Sequence, residues 1–331
     1  YIAILGRMCY PNKKISYTKY QILEVNIEMW IGDFIIYELG PFLKALGNYM
    51  PGEFFPSYFL LEYFHRPLVA SFIVAIIAGF IGTFLLIRNL ALIGDGLAHV
   101  SFGAIVVGII FGGIGPLWYA LIISIIAAIS IDLLQTYGII TGDTAIGIFL
   151  TGMLGLGLVL MRIWGGAANS TIDGYLYGDM LMVDAESFNL ISVVGIIGYI
   201  SMLCLYQSLL AISIDPIAAK VQGLPVRLIN LYFSILTASI VVSMVQIVGV
   251  LLVTALIVAP AATAQLLGKS FRSCAILAQI IGVITIVIGL YFSAEFDTGT
   301  GSMIAVVATC IFGLTLIVRS MKNIILKPNE N

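Results

Sequence analysis

The chain has 331 residues, 61% of them hydrophobic and only 10% charged, with a mean hydropathy of +1.11. Soluble domains carry about 25% charged residues, so the composition excludes a soluble globular protein and indicates an all-α polytopic membrane protein. A net charge of −2 with scattered basic residues excludes a nucleic-acid partner, and Cys9, Cys204, Cys274 and Cys310 show no CxxC spacing that would suggest a thiolate metal or redox site.

Residues 1–66 read as an N-terminal extension. Residues 1–30 mix charges and aromatics, so no cleavable signal peptide is expected there. The stretch WIGDFIIYELGPFLKALGNYM is aromatic but interrupted by Asp33, Glu38, Pro41 and Lys44, a pattern that suits an interfacial helix better than a crossing.

From residue 67 to 319 the chain reads as a membrane domain. Apolar windows fall at 67–87, 92–114, 116–136, 144–164, 187–210, 228–246, 247–267, 273–292 and 301–319, each near the ~20 residues needed to span. Nine crossings are predicted. Eight is the alternative, if Gly115-Pro116 marks a broken helix rather than a turn. Residues 320–331 read as a cytoplasmic C-terminal tail.

Lys and Arg collect on the cytoplasmic side of short loops. With nine crossings one side receives Arg88, Lys220, Arg227, Lys269, Arg272, Arg319, Lys322 and Lys327. The other receives Arg66, Arg162 and the acidic residues Asp173, Asp179, Asp184, Glu186, Glu295 and Asp297, while Lys13, Lys14, Lys19 and Lys44 of the extension would also fall there and fit the pattern less well. The asymmetry predicts a multi-pass protein of the cell membrane with a cytoplasmic C-terminus. Glycines at 108 and 112, 152, 155 and 157, and 195 and 198 are expected to let helix backbones approach closely.

The stretch LIGDGLAHVSFG, residues 92–103, places Asp95 and His99 four residues apart in an apolar window. That spacing sets both on one helix face. If a helix rises from Arg88 at the membrane surface, Asp95 lies roughly 10 Å and His99 roughly 16 Å deep, where ionisable groups are costly and usually functional. Carboxylate oxygen with imidazole nitrogen suits a borderline divalent ion such as Zn²⁺ or Mn²⁺, and two ligands hold it loosely, as a conduit requires. The alternative is that Asp95 simply caps a helix.

In SIDPIAAKVQGLP, residues 213–225, Asp215 followed by Pro216 reads as a helix start, and Gly223 with Pro225 as its stop. The expected short surface helix is either a connector or a docking element for a cytoplasmic partner. The acidic loop between Ile163 and Glu186 reads as a solvated cap, or else as an external docking face. Asp132 and Asp143 are expected at solvated helix ends. Pro260, in LIVAPAATAQLL, should kink its helix, which suits a moving or pathway-lining segment. No GxxxxGK[ST], HExxH or GxSxG occurs, so neither ATP hydrolysis nor hydrolase chemistry is expected of this chain.

RNLALIGDGLAHVSFGAIVVG, DPIAAKVQGLPVRLINLYF and QIVGVLLVTALIVAPAATAQLL together resemble the membrane permease of ATP-binding-cassette importers for zinc, manganese or iron, with the type II importer architecture. The resemblance implies that Asp95 and His99 contact the transported metal. It implies that Asp215, Pro216, Ala219 and Gly223 belong to the helix that seats on a separate ATPase. It also implies a second permease subunit (identical or paralogous), an ATPase dimer that binds the ATP, an extracytoplasmic metal-binding protein, and no permanently bound cofactor. Two rival readings stand beside it: a permease for metal chelates of siderophore or corrinoid type, and a proton-coupled secondary carrier.

Overall fold

The computed structural model describes residues 31–113, 115–164 and 169–326, all helical or connecting in the described residues. The helices, in chain order, are α1 (Ile31–Gly47), α2 (Ser57–Leu60), α3 (Glu62–Ile87), α4 (Ile93–Phe111), α5 (Pro116–Thr136), α6 (Gly142–Trp164) and α7 (Asn169–Tyr177). They continue with α8 (Ala185–Cys204), α9 (Tyr206–Ile214), α10 (Pro216–Val221), α11 (Val226–Val248), α12 (Val253–Leu267), α13 (Phe271–Phe296) and α14 (Thr300–Leu326). Among the described residues nine are long and apolar enough to cross a membrane: α3, α4, α5, α6, α8, α11, α12 with its preceding 3-10 turn, α13 and α14. The Gly115-Pro116 break is therefore a turn between two helices, with Pro116 at the first position of α5.

Boundaries differ from the apolar windows where polar residues sit inside helices. α3 begins at Glu62, because Glu62, Arg66 and Pro67 occupy its first turns, where Pro removes few helix bonds. The window 187–210 contains a break at Leu205, so α8 ends at Cys204 and α9 restarts at Tyr206. Of the N-terminal extension, residues 1–30 lie outside the described residues, as do 327–331 of the tail.

α3, α4 and α11 are the innermost spans, whereas α6 and α14 are peripheral. All nine are apolar around most of their circumference, so packing detail rather than amphipathicity assigns their neighbours. Glycines decide several contacts. A Cβ on Gly103 would stand 2.5 Å from the Met153 carbonyl, which seats α4 on α6, and one on Gly79 would stand 2.6 Å from the Ala278 carbonyl, which seats α3 on α13. Gly108 serves the α4–α5 hairpin, where a Cβ would lie 2.8 Å from Tyr119, while Gly152 and Gly155 face open space. The expected close approach thus holds at Gly108, Gly157, Gly195 and Gly198 but not at Gly112, Gly152 or Gly155.

A junction of two backbones closes the end of the bundle opposite α10. Gly249, at φ 87°, turns the chain from α11 into the 3-10 turn Val250–Leu252, and a Cβ on it would stand 2.4 to 2.6 Å from backbone atoms of Leu176, Tyr177 and Gly178. Gly178 is itself at φ 80° against Val248. Only glycine tolerates both the φ and the approach.

α1 lies outside the set of spans. The Gly32 amide donates to Asn189 Oδ1 of α8 at 3.0 Å, and Arg66 meets Asp33 at 3.3 Å. The Glu295 carboxylate of α13 accepts the Phe54 and Phe55 amides, each at 3.0 Å. Segment 31–60 is thereby tied to the same end of the bundle as the Gly249 junction.

Candidate functional site

α3 closes with Asn89 at φ 55°, and the Leu90 amide donates to the Leu85 carbonyl at 2.8 Å. The chain reverses there, so α4 does not rise from Arg88 but starts at Ile93. This corrects the expected depth: at ~1.5 Å per residue Asp95 stands only ~3 Å and His99 ~9 Å beyond the start of α4. Asp95 is the third helical residue, where the helix dipole favours a carboxylate. It does not cap the helix, because the cap position is Leu92 and no side chain caps there.

One turn separates the two groups, and His99 Nε2 stands 3.8 Å from Asp95 Oδ1. That is ion-pair range and too long for a hydrogen bond. Two ligands each ~2.1 Å from one ion stand at most about 4.2 Å apart, so one cation can touch both. His99 is buried and its Nδ1 has no hydrogen-bond partner, while Asp95 is about one third exposed. The flanking glycines have a steric origin. A Cβ on Gly96 would lie 2.5 Å from Ile146 of α6, and one on Gly94 would lie 3.2 Å from Ile257 of α12. Helices close in on both sides of Asp95 and leave its own face open.

Thr254, in the first turn of α12, donates its hydroxyl to Asp95 Oδ1 at 3.1 Å. Thr254 also heads a groove of about 320 Å³ along α12 and α14, lined by Ala255, Val258, Ala259, Ala262, Thr309 and Phe312. The sequence reading missed Thr254, whose only signal is a hydroxyl in an otherwise aliphatic run. Pro260 sits on the opposite, buried face of α12 and does not line this groove; α12 is continuous through it. Among the described residues no cluster of three or more His, Cys, Asp or Glu could cage a metal. His65 is engaged with the Phe59 carbonyl at 2.7 Å.

The short helix α10 forms as its residues dictate. Asp215 Oδ1 accepts the Ile217 and Ala218 amides at 2.9 and 3.0 Å, and Pro216 occupies the first helical position. Gly223 at φ 84° ends the turn, and the Leu224 amide donates to the carbonyl of buried Ala219 at 3.1 Å. Ile217 and Val221 stand 76% and 84% exposed, so α10 presents an apolar face that no other described residue covers.

Arg88 is the second residue the sequence reading undervalued. Its Nε donates to Ser213 Oγ at 2.8 Å, two residues before Asp215, and its Nη1 donates to Asn230 Oδ1 at 3.1 Å. The guanidinium lies 4.4 Å over the Phe233 ring, and burial pushes it down to about 10, still charged at neutral pH. Arg88 therefore ties the α9–α10 connection and α11 to the end of α3, just before the turn into α4. Asp132 differs from its expected solvated position: it is half-buried and accepts the Ser234 hydroxyl at 3.3 Å. Asp143 is exposed.

At the other end, the acidic loop between α6 and α8 has local duties. Asp179 accepts the Leu181 amide at 2.9 Å, Asp184 accepts the Ser187 amide at 2.8 Å, and Glu186 accepts the Trp118 indole N–H at 2.8 Å. Residues 165–168 of that loop lie outside the described residues.

Residues 60–319 match the ABC 3 transport family. The manganese transport system membrane protein MntC of Halalkalibacterium halodurans is 32% identical over 79% of this chain and 89% of its own length. The high-affinity zinc uptake system membrane protein ZnuB of Haemophilus influenzae is 29% identical over 78% of this chain and 99% of its own length. Among solved structures, PsaBC from Streptococcus pneumoniae in complex with Fab contains a chain that superposes with a TM-score of 0.71 at 28% identity, covering 79% of this chain and 94% of that one.

Proposed function

The chain belongs to the ABC 3 transport family, and from that premise we propose that it is the membrane-spanning permease subunit of an importer that admits a divalent transition-metal ion, Mn²⁺ or Zn²⁺. The observation that carries the reading is the Asp95–His99 pair, 3.8 Å apart on one face of α4 with His99 Nδ1 unpartnered. Manganese and zinc in the names of the related membrane proteins support the cargo.

The ion passes the pair without being caged. The carboxylate supplies charge and a hard oxygen, the imidazole a nitrogen, and Thr254 holds the carboxylate toward the open face. Water completes the shell, so the ion leaves as readily as it enters. A bulky chelate would have no use for two ligands one helical turn apart, which favours the bare ion over the chelate reading.

Energy comes from outside the chain. α10, with Asp215, Pro216, Ala219 and Gly223, seats on a separate cytoplasmic ATPase through exposed Ile217 and Val221. Arg88 carries displacement of α10 to the end of α3 and so to the first turn of α4. Basic residues at the α10 end support a cytoplasmic position for that end and for the C-terminus. A second permease subunit completes the pathway, and an extracytoplasmic metal-binding protein docks at the opposite end.

The test is uptake of radioactive manganese and zinc into vesicles holding the permease, ATPase and binding protein. Uptake should require ATP, resist collapse of the proton gradient, and be competed by free metal but not by chelates. Uptake driven by the proton gradient without ATP would replace this reading with the secondary carrier.

A further inference from the structure

The side of the bundle formed by α3, α8 and α13 carries two contiguous cavities that share Tyr199 and Gln279. The first, about 630 Å³, has Ile73 and Ile77 of α3 as its floor, with Ile196 of α8 and Ile280 and Ile284 of α13 as walls. Its lining is aliphatic apart from the two shared residues. The second, about 660 Å³, continues toward the α10 end and is more polar, lined by Gln207 of α9, Cys204 and Arg272. Between them Tyr199 donates its hydroxyl to Gln279 Oε1 at 2.9 Å, while Gln279 Nε2 donates to the Ala275 carbonyl at 3.0 Å. The polar groups at mid-groove are thus bound to one another.

The groove has a length and a polarity. Along α13 it runs from Arg272 to Ile284, twelve residue steps and about 18 Å of helix rise. That is close to one leaflet of a ~30 Å hydrocarbon core. Arg272 is the second residue of the 26-residue α13, it is exposed, and it makes no salt bridge among the described residues. The groove mouth therefore combines a free guanidinium with the positive end of a long helix, and no carboxylate lines either cavity. Tyr206 stacks on Phe80 beside this mouth, with ring centroids 6.3 Å apart. Asp95, His99 and Thr254 line neither cavity.

We propose that this groove is a binding site for one anionic phospholipid of the leaflet at the α10 end, with an acyl chain along Ile77, Ile280 and Ile284 and its phosphate at Arg272. Graded polarity fixes the direction of the lipid, and the unpaired cation selects a net negative headgroup over a zwitterionic one. The Tyr199–Gln279 bond offers the acyl chain no unsatisfied polar atom. The bound lipid fills the space between α8 and α13, both of which pack on α3. This inference is independent of the transport reading.

The full-length protein, reconstituted in vesicles of equal phosphatidylglycerol and phosphatidylcholine and re-extracted in mild detergent, is tested by native mass spectrometry for retained lipid. The wild type should keep one phosphatidylglycerol. Arg272→Gln and Arg272→Glu should each lower retention, the latter about tenfold, and Ile280→Trp should expel the lipid by filling the apolar chamber. Lys322→Glu, an exposed charge change at the same end outside the groove, should leave retention unaltered. Equal retention in both Arg272 variants, or equal loss in Lys322→Glu, overturns the proposal. So does phosphatidylcholine held as well as phosphatidylglycerol. Disulfide cross-linking of Ile280→Cys chains to one another in membranes, in a background with native cysteines replaced by serine, would instead assign the groove to a second copy of this chain.

Discussion

The hydroxyl of Thr254 donates to the carboxylate of Asp95 at 3.1 Å, across 159 positions of sequence. The bond joins the first turn of α12 to the first turn of α4, and it fixes the same Oδ1 that stands 3.8 Å from His99 Nε2. Groups that hold a metal ligand in place commonly matter about 10- to 100-fold for affinity.

Thr254→Val keeps the shape of the side chain and deletes the hydroxyl. Initial uptake of manganese at limiting concentration should fall about tenfold, with Thr254→Ser close to wild type. Wild-type uptake by the valine variant would show that Asp95 needs no such support.

Asp95→Ala and His99→Ala each remove one of only two side-chain ligands. Uptake should drop at least about 100-fold, the upper end for lost metal partners, while the chain still elutes as a monodisperse complex. An assembled double variant that transports normally would remove the pair from the pathway.

Asp215→Ala deletes the acceptor of two amides in α10, a loss of about 1 kcal/mol to local helix stability. Uptake should fall while ATP hydrolysis by the assembled importer continues, and Asp215→Asn, a competent cap, should restore coupling. Equal transport per ATP in Asp215→Ala and wild type would exclude α10 as the coupling element.

Arg88→Ala leaves Ser213 and Asn230 without their donor and Phe233 without its cation. Metal binding measured at equilibrium should be nearly unchanged, while transport per ATP hydrolysed should fall severalfold. Arg88→Lys, a single point charge that cannot reach both partners in a fork, should fall between. Loss of metal binding and transport in equal measure would make Arg88 a purely structural residue.

Gly249→Ala places a Cβ at φ 87° against the backbone of Tyr177 and Gly178. Strain of this kind costs on the order of 1–3 kcal/mol before the steric clash is counted. The variant should melt well below wild type in detergent, as read by tryptophan fluorescence. An unchanged melting temperature would show that the junction of α7 and α11 gives way freely.

Much of the architecture was legible in the linear chain. Lipid requires about 20 consecutive apolar residues per crossing, so charges and Gly-Pro breaks marked nine spans to within a few residues. The limits were local: Glu62, Arg66 and Pro67 looked like a boundary yet lie within α3, and Leu205 breaks a window that looked continuous. Helix α10 was legible in full, because an N-cap aspartate, a first-position proline and a terminal glycine act over a handful of adjacent residues.

The Asp95–His99 pair was legible for the same reason, since i, i+4 spacing is set by the helix itself. Its depth was not, because the reversal at Asn89 depends on a left-handed residue that composition does not reveal. Thr254 and the partners of Arg88 were invisible: Ser213 and Asn230 lie 125 and 142 positions away. Sequence alone thus determined the membrane class, the spans, the short surface helix and two groups on one helix face, all consequences of local periodicity and of what lipid tolerates. Which apolar helices adjoin, which face of α12 meets Asp95, and where a groove opens beside Arg272 were decided by tertiary packing, since spans that are apolar all round carry no directional signal until glycine contacts and side-chain shapes select their neighbours.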